Sequence, residues 1–176
     1  MKYAVLATIG ASLLLIGAAP IGAQLEQPAI KALSSDQQRG LLAGAGLGYA
    51  KTAEGNGWPG PLHVLELRDT LALTETQVSK MAALLRAMKA QAIPLGQLMI
   101  EAEQELDALF RSGDPSAQDV AVATARIAKI AGQLRAVHLT THLRTAPLLS
   151  RHQTMLYAQA RGHSDPQGSG GHVQRP

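Results

Sequence analysis

Apolar residues with alternating spacings of three and four run through the middle of the chain. The first series comprises Val78, Met81, Leu85, Met88, Ala92, Leu95, Met99, Ala102, Leu106 and Leu109. The second comprises Val120, Ala123, Ile127, Ile130, Leu134, Val137 and Thr141, and the turn-forming Ser112-Gly113-Asp114-Pro115 lies between the two. Such heptad patterns are typical of long helices that pack against another helix. The sequence therefore predicts an all-α fold built on a long antiparallel helical hairpin.

Two short motifs mark where helices begin. The hydroxyl of Thr74 can accept a hydrogen bond from a free N–H of the first helical turn, and the amide of Gln77 can bond back to the N–H of Thr74. Ser150 and Gln153 repeat the arrangement near the end of the chain. Each pair forms a capping box, so we interpret these four residues as structural caps.

A first, shorter helix is expected to start at Ser34 or Ser35. It carries Gly40, Gly44 and Gly48, which are four residues apart. On a helix this spacing places the glycines on one face, where another backbone can come close. The alternative is a loose, frayed segment, because each interior glycine costs about 1 kcal/mol relative to alanine.

A turn at residues 56–61, rich in glycine and proline, leads into a short helix that starts at Pro61. Trp58, the single tryptophan, is expected to close one end of the core. Five apolar residues lie off the first heptad series, namely Leu84, Ile93, Leu98, Ile100 and Phe110. Either the short helices or a second copy of the chain covers them, or they form a binding surface. A homodimer is the favoured interpretation.

Composition narrows the class of protein. Apolar residues make up 46% of the 176 residues and aromatic residues 3%, which suits helix–helix seams in one domain. The absence of cysteine excludes disulfides, thiolate metal sites and thiol nucleophiles. The formal charge of +3 is spread along the chain with few aromatic residues, which argues against a nucleic-acid partner. No nucleophile elbow, P-loop or zincin motif indicates an enzyme.

Residues 1–23 have the organisation of a secretory signal peptide. Lys2 precedes an apolar run at residues 4–19, and small residues follow up to the expected cleavage site. The competing interpretation is an uncleaved membrane anchor, although the run is short for a span of ~20 residues. We therefore expect export, a helical domain at residues 24–161 and a disordered tail at residues 162–176, where no periodicity is present.

The motifs Leu73-Thr74-Glu75-Thr76-Gln77 and Leu149-Ser150-Arg151-His152-Gln153 flank the predicted hairpin. In this arrangement the chain resembles the Spy/CpxP family of periplasmic proteins over residues 30–160. The segments Asn56-Gly-Trp-Pro-Gly-Pro-Leu-His-Val-Leu-Glu-Leu and Val137-His-Leu-Thr-Thr-His resemble its heavy-metal-sensor branch. The resemblance implies an all-α, dimeric, cradle-shaped fold in the periplasm. It also implies ATP-independent chaperone activity and a role in envelope stress, or metal binding in some members.

Chaperones of this family present a basic concave surface to unfolded proteins. The candidates for that surface here are Lys80, Arg86, Lys89, Arg126, Lys129 and Arg135. The expected partners are a second copy of the chain and unfolded client proteins. An alternative partner is the periplasmic sensor domain of a signalling kinase. No cofactor is required for either role.

His138 and His142 are four residues apart, so both project from one face of the second long helix. This spacing can offer two imidazoles to one metal ion, and a third ligand must come from elsewhere. His63 and Glu66, close to the turn, are the candidates. The site would make the protein a sensor or buffer for Zn(II), Ni(II) or Cu(II). The alternative is that the histidines are hydrogen-bonded residues beside the heptad seam.

Overall fold

The computed structural model of the chain describes residues 30–162, and every regular element in that range is helical. The elements are α1 (Ser35–Leu42), α2 (Lys51–Gly55), α3 (Pro61–Glu66), α4 (Glu75–Arg111), α5 (Ala117–Thr145), a 3-10 turn (Ala146–Leu148) and α6 (Arg151–Ala160). The all-α prediction is confirmed. The expected signal peptide and all but the first residue of the expected tail lie outside the described residues. None of these helices is both long and apolar enough to cross a membrane.

The long helices α4 and α5 carry the two heptad series. Gly113, in the left-handed conformation with φ 85°, lies in the turn between them. At the start of α4 the amide of Gln77 donates to the carbonyl of Leu148, just beyond α5. Towards the end of α4, Glu105 pairs with Arg126 in the first half of α5. The two helices therefore pack side by side and run in opposite directions.

The main core lies between α1, α4 and α5 and consists of Leu41, Ala92, Met99, Ala102, Ile130 and Leu134. The first helix reaches this core because Gly96 has no side chain. A Cβ atom on Gly96 would lie 2.3 Å from the carbonyl oxygen of Leu41, so any larger residue would displace α1. The backbones of α1 and α4 therefore make contact at this glycine.

The predicted face of Gly40, Gly44 and Gly48 is wrong. The first helix ends at Leu42, and Gly44 and Gly48 follow it with φ values of 64° and 83°. Such positive values suit glycine in turns and do not continue a helix. The close approach of two backbones occurs at Gly96 instead.

A second core, made by Val64, Leu71, Met81 and Tyr157, joins α3, the start of α4 and α6. Trp58 does not close either core, because 43% of it is exposed. The neighbouring residues 59–61 are buried in its place. The prediction that the tryptophan seals the core is therefore wrong, since its backbone and not its indole faces inward.

The short helices cover part of the apolar surface that lies off the heptad seam. Ile100 packs against the main core, and Leu84 is half-buried. Ile93, Leu98 and Phe110 remain 37%, 41% and 60% exposed. The fold therefore leaves large apolar side chains of α4 at the surface.

Candidate functional site

The two capping boxes meet at one end of the long helices. Gln77 Nε2 donates to Gln153 Oε1 at 2.8 Å, and Gln153 Nε2 donates to Gln77 Oε1 at 3.1 Å. Each amide also donates to a backbone carbonyl beside the other box, Gln77 to Leu148 at 2.9 Å and Gln153 to Leu71 at 3.1 Å. Both side chains thus bond reciprocally across the interface between α4 and α6.

The carbonyl oxygens of the same amides close the boxes themselves. The N–H of Thr74 donates to Gln77 Oε1 at 3.0 Å, and the N–H of Ser150 donates to Gln153 Oε1 at 2.9 Å. The four predicted caps therefore form as expected. Their role is structural, because every polar atom of the two amides already has a partner.

His142 lies in a narrow gap between α5 and the segment that precedes α3. Its Nδ1–H donates to the carbonyl of Trp58 at 3.0 Å. A Cβ on Gly60 would lie 2.7 Å from Cε1 and 2.9 Å from Nε2 of the imidazole, so the ring lies directly against the glycine backbone. Burial lowers the pKa of His142, while the Trp58 carbonyl and Glu54 act in the opposite direction. The ring is therefore neutral at pH 7 with its lone pair on Nε2.

His138 lies one helical turn before His142 and is 3% exposed. Its ring stacks on Tyr49, with centroids 6.1 Å apart and planes inclined by 9°. The Nε2 atom is buried and has no hydrogen-bond partner among residues 30–162. Burial lowers the pKa of His138, the neighbouring His142 lowers it further, and Glu54 raises it. A buried ring nitrogen without a partner is costly, so this atom is available to a ligand.

His63 and Glu66 bond to each other on the same side of the molecule. The two atoms His63 Nδ1 and Glu66 Oε2 are 2.8 Å apart, and His63 Nε2 lies 4.0 Å from Glu54 Oε1. Glu54 was not among the residues predicted from the sequence for this site. It ends up beside the histidines because the turn after α2 folds that helix back towards α3.

The structure thus places His63, His138 and His142 around one segment, with Glu54 facing them and Glu66 behind His63. It does not bring their ring nitrogens together as a finished metal centre. Within the described residues, no group of three or more histidines, cysteines or carboxylates is arranged to hold a metal ion. Ligation would require the segment at residues 54–63 to shift relative to α5, because Gly60 already lies against Nε2 of His142.

The six cations predicted to bind clients do not form one surface. At 3.6 residues per turn, Lys80 lies about 160° around α4 from Gly96, where α1 docks, whereas Arg86 and Lys89 lie about 80° and 20° from it. Lys89 Cγ would be 3.4 Å from a Cβ on Gly44, which places it beside the turn that follows α1. On α5, Arg126 pairs with Glu105, and Lys129 is exposed to solvent. Arg135 lies near Tyr49, whose pKa it lowers against the effect of burial.

A surface with both apolar and charged groups lies on the side of α4 that faces away from α1. It consists of Lys80, Leu84, Leu98 and Glu105 of α4 with Arg126 of α5, and we refer to it as the open face. Leu98 lies about 160° around the helix from Gly96 and Glu105 about 180°. Leu98 is 41% exposed and Lys80 is exposed, so no element of residues 30–162 covers these two positions, whereas Leu84 is half-buried.

Comparisons of the chain with protein-family models, with curated proteins and with solved structures find no match. The relation to the Spy/CpxP family therefore stays a prediction. Its support is the pair of capping boxes and the residues around His63, His138 and His142.

Proposed function

We propose that the protein is an exported, ATP-independent chaperone of the Spy/CpxP type that binds unfolded proteins on the open face. The observation that supports this proposal most strongly is the exposure of Leu98 on a face that the short helices leave uncovered. Exposed apolar groups attract the apolar segments of an unfolded chain. Lys80, exposed further towards the start of α4, adds attraction for acidic segments that is weakened by salt.

The proposal includes a homodimer in which two antiparallel helix pairs form a cradle. Phe110, near the turn between α4 and α5, is 60% exposed and Ile93 is 37% exposed. A second copy that covered such side chains would remove them from water and leave the open face for clients. Light scattering coupled to size exclusion gives the mass directly, and a monomer at tens of micromolar would reject this part of the proposal.

The chaperone activity is tested by the aggregation of a chemically denatured enzyme such as malate dehydrogenase. Purified protein at stoichiometric amounts should suppress the light scattering. The double variant Leu84→Ser/Leu98→Ser should lose most of the suppression, because it removes the apolar part of the open face. The matched control is Val122→Ser/Leu143→Ser, which changes two exposed apolar residues of α5 that are 60% and 57% exposed.

A second test compares Lys80→Glu with Lys129→Glu; both lysines are exposed, Lys80 in the second turn of α4 and Lys129 near the middle of α5. The first should weaken suppression at low salt and the second should not. Suppression that is absent in the unaltered protein, or that falls equally in both apolar variants, would contradict the proposal.

A second candidate function is metal binding, and the state of the histidine rings favours it. His142 and His63 each use Nδ1 to bond an acceptor, Trp58 in one case and Glu66 in the other. Metal-binding histidines are usually oriented by such a bond from the second ring nitrogen, which leaves Nε2 for the ion. The buried Nε2 of His138 and the carboxylate of Glu54 supply further donors suited to Zn(II), Ni(II) or Cu(II).

Titration calorimetry with Zn(II) tests this candidate on the unaltered protein and on His63→Gln/His142→Gln. We expect a binding heat that the double variant loses. His152→Gln is the matched control, because His152 is exposed on α6. Equal heats in all three proteins would show that any affinity comes from histidines elsewhere in the chain, such as His163 and His172.

A further inference from the structure

An apolar groove lies between the chain that contains α1 and the two long helices. Its volume is about 420 Å³, which is within the range of small-molecule sites. Leu33, Leu47 and Tyr49 line it from the segment around α1, and Met99 and Ala131 line it from the long helices. It lies on the opposite side of α4 from the open face, so it is a separate feature from the proposed client surface.

A single carboxylate, Glu103 on α4, lines this mostly apolar groove, to which Gln37 adds an uncharged amide. Burial raises the pKa of Glu103, and this desolvation is the sole cause of the shift. Within residues 30–162 it forms no ion pair, and Arg135, the cation near the groove, acts on Tyr49. A half-buried carboxylate without a cation is unfavourable, so the groove is complementary to a positive charge.

The outer edge of the groove is held in a strained conformation. Leu47 has a φ of 43°, which is uncommon for a residue other than glycine. Its side chain lies over Gly40, where a Cβ would be 2.6 Å from the Leu47 Cδ2 atom. Strain of this kind persists only where the surrounding structure enforces it, and it is concentrated at binding sites.

We propose that this groove binds an apolar small molecule that carries one amine or ammonium group. The apolar body lies between Leu47 and Met99, and the cation pairs with the carboxylate of Glu103. An anionic ligand would face repulsion from Glu103, and a neutral one would leave the carboxylate unpaired and further desolvated. Among ligands with the same apolar chain, the groove should therefore bind the one with a cationic head group most tightly.

Calorimetry at pH 7.5 with octylamine, octanol and octanoate tests the selection, because the three probes differ in their head group alone. The purified protein should bind octylamine about tenfold more tightly than octanol, since a hydrogen bond to a charged group contributes more than a neutral one. Octanoate should bind most weakly. Glu103→Gln should make the affinities for octylamine and octanol equal, whereas Glu101→Gln, outside the groove on the same helix, should keep the preference.

Occupancy of the groove is tested by Ala131→Leu, which fills it from α5. This variant should lose binding of both octylamine and octanol while thermal unfolding shows that it still folds. Octylamine and octanol that bind equally, or a preference that survives in Glu103→Gln, would overturn the proposal and indicate adventitious apolar binding. A change of oligomeric state in Ala131→Leu with no loss of octylamine binding would assign the groove to contacts between copies.

Discussion

Two pairs of polar side chains lie where the helices meet, and they differ in how their hydrogen bonds are satisfied. In the pair of Gln77 and Gln153, each amide nitrogen and oxygen has partners in both capping boxes. In the pair of His138 and His142, one ring nitrogen is buried without a partner and a second lies against a glycine backbone.

The difference separates a structural element from a site that can respond to its surroundings. A fully bonded polar network fixes one arrangement of the helices and offers nothing to a ligand. A neutral histidine with a free nitrogen can take up a proton or a metal ion, and either event changes its charge. Three measurements test this contrast between the glutamine pair and the histidine pair, and a fourth tests the backbone next to the first capping box.

The largest effect is expected for Gln153→Leu. The change removes the partner of the Gln77 amide and leaves the buried carbonyl of Leu71 without a donor, so the free energy of unfolding should fall by about 3 kcal/mol. Urea denaturation followed by circular dichroism measures it. Gln91→Leu is the control, because Gln91 is exposed and bonds within its own helix. A loss below that of the control would show that the reciprocal bonds contribute nothing.

The pH dependence of stability comes next. The pKa values of His138 and His142 are lowered by burial from the ordinary value of 6.5, so the unfolded chain binds more protons near that pH. The free energy of unfolding should therefore have its full value above about pH 6.5 and decrease as the pH falls below it. The slope is up to about 1.4 kcal/mol per pH unit for each histidine.

Urea denaturation at pH 7.5, 6.5 and 5.5 gives the slope. His138→Phe/His142→Gln should flatten it, since the replacements do not titrate and glutamine can still donate to the Trp58 carbonyl. The same slope in the double variant would place the pH dependence elsewhere in the molecule.

The effect of His138→Phe on stability can be compared directly with that of Gln153→Leu, because both substitutions replace a buried polar group by an apolar one. Removal of the unpaired Nε2 should leave stability unchanged or raise it by about 1 kcal/mol, whereas the glutamine variant loses stability. Phenylalanine also keeps the stacking on Tyr49. A loss above 1 kcal/mol at pH 7.5 would mean that His138 has a bonded partner in solution.

The smallest effect concerns the backbone that leads into the first capping box. Ala72 has a φ of 45°, which favours glycine, so Ala72→Gly should raise the free energy of unfolding by about 0.5 kcal/mol. The control Ala87→Gly, on an exposed position inside α4, should lower it by about 1 kcal/mol. Effects of the same sign would show that Ala72 is not strained.

Features that depend on neighbouring residues could be predicted from the sequence. The capping boxes at Thr74 and Ser150 follow from a spacing of three residues, and the two long helices follow from their heptad series. That the two boxes bond to each other could not be predicted, because Gln77 and Gln153 are 76 residues apart and meet through the packing of entire helices.

The candidate site shows the same division. The pairing of His138 and His142 on one face follows from helix geometry, whereas the contribution of Glu54 depends on the fold of the turn after α2. The close contact between the backbones of α1 and α4 at Gly96 could not be predicted, because such a contact leaves no local sequence pattern. The exposure of Trp58 was predicted wrongly, because the direction of one side chain in a turn depends on tertiary packing.

The reciprocal glutamine bonds also relate the order of synthesis to the completion of the fold. Gln77 can close its own cap as soon as α4 has formed, but its further partners are Leu148 and Gln153. A ribosome makes these two residues more than 70 positions later. In a shorter nascent chain, the side-chain amide of Gln77 therefore lacks its bonds to Leu148 and Gln153. These bonds form only after α6 has been made, so the fold at the start of α4 is completed by a helix that leaves the ribosome much later.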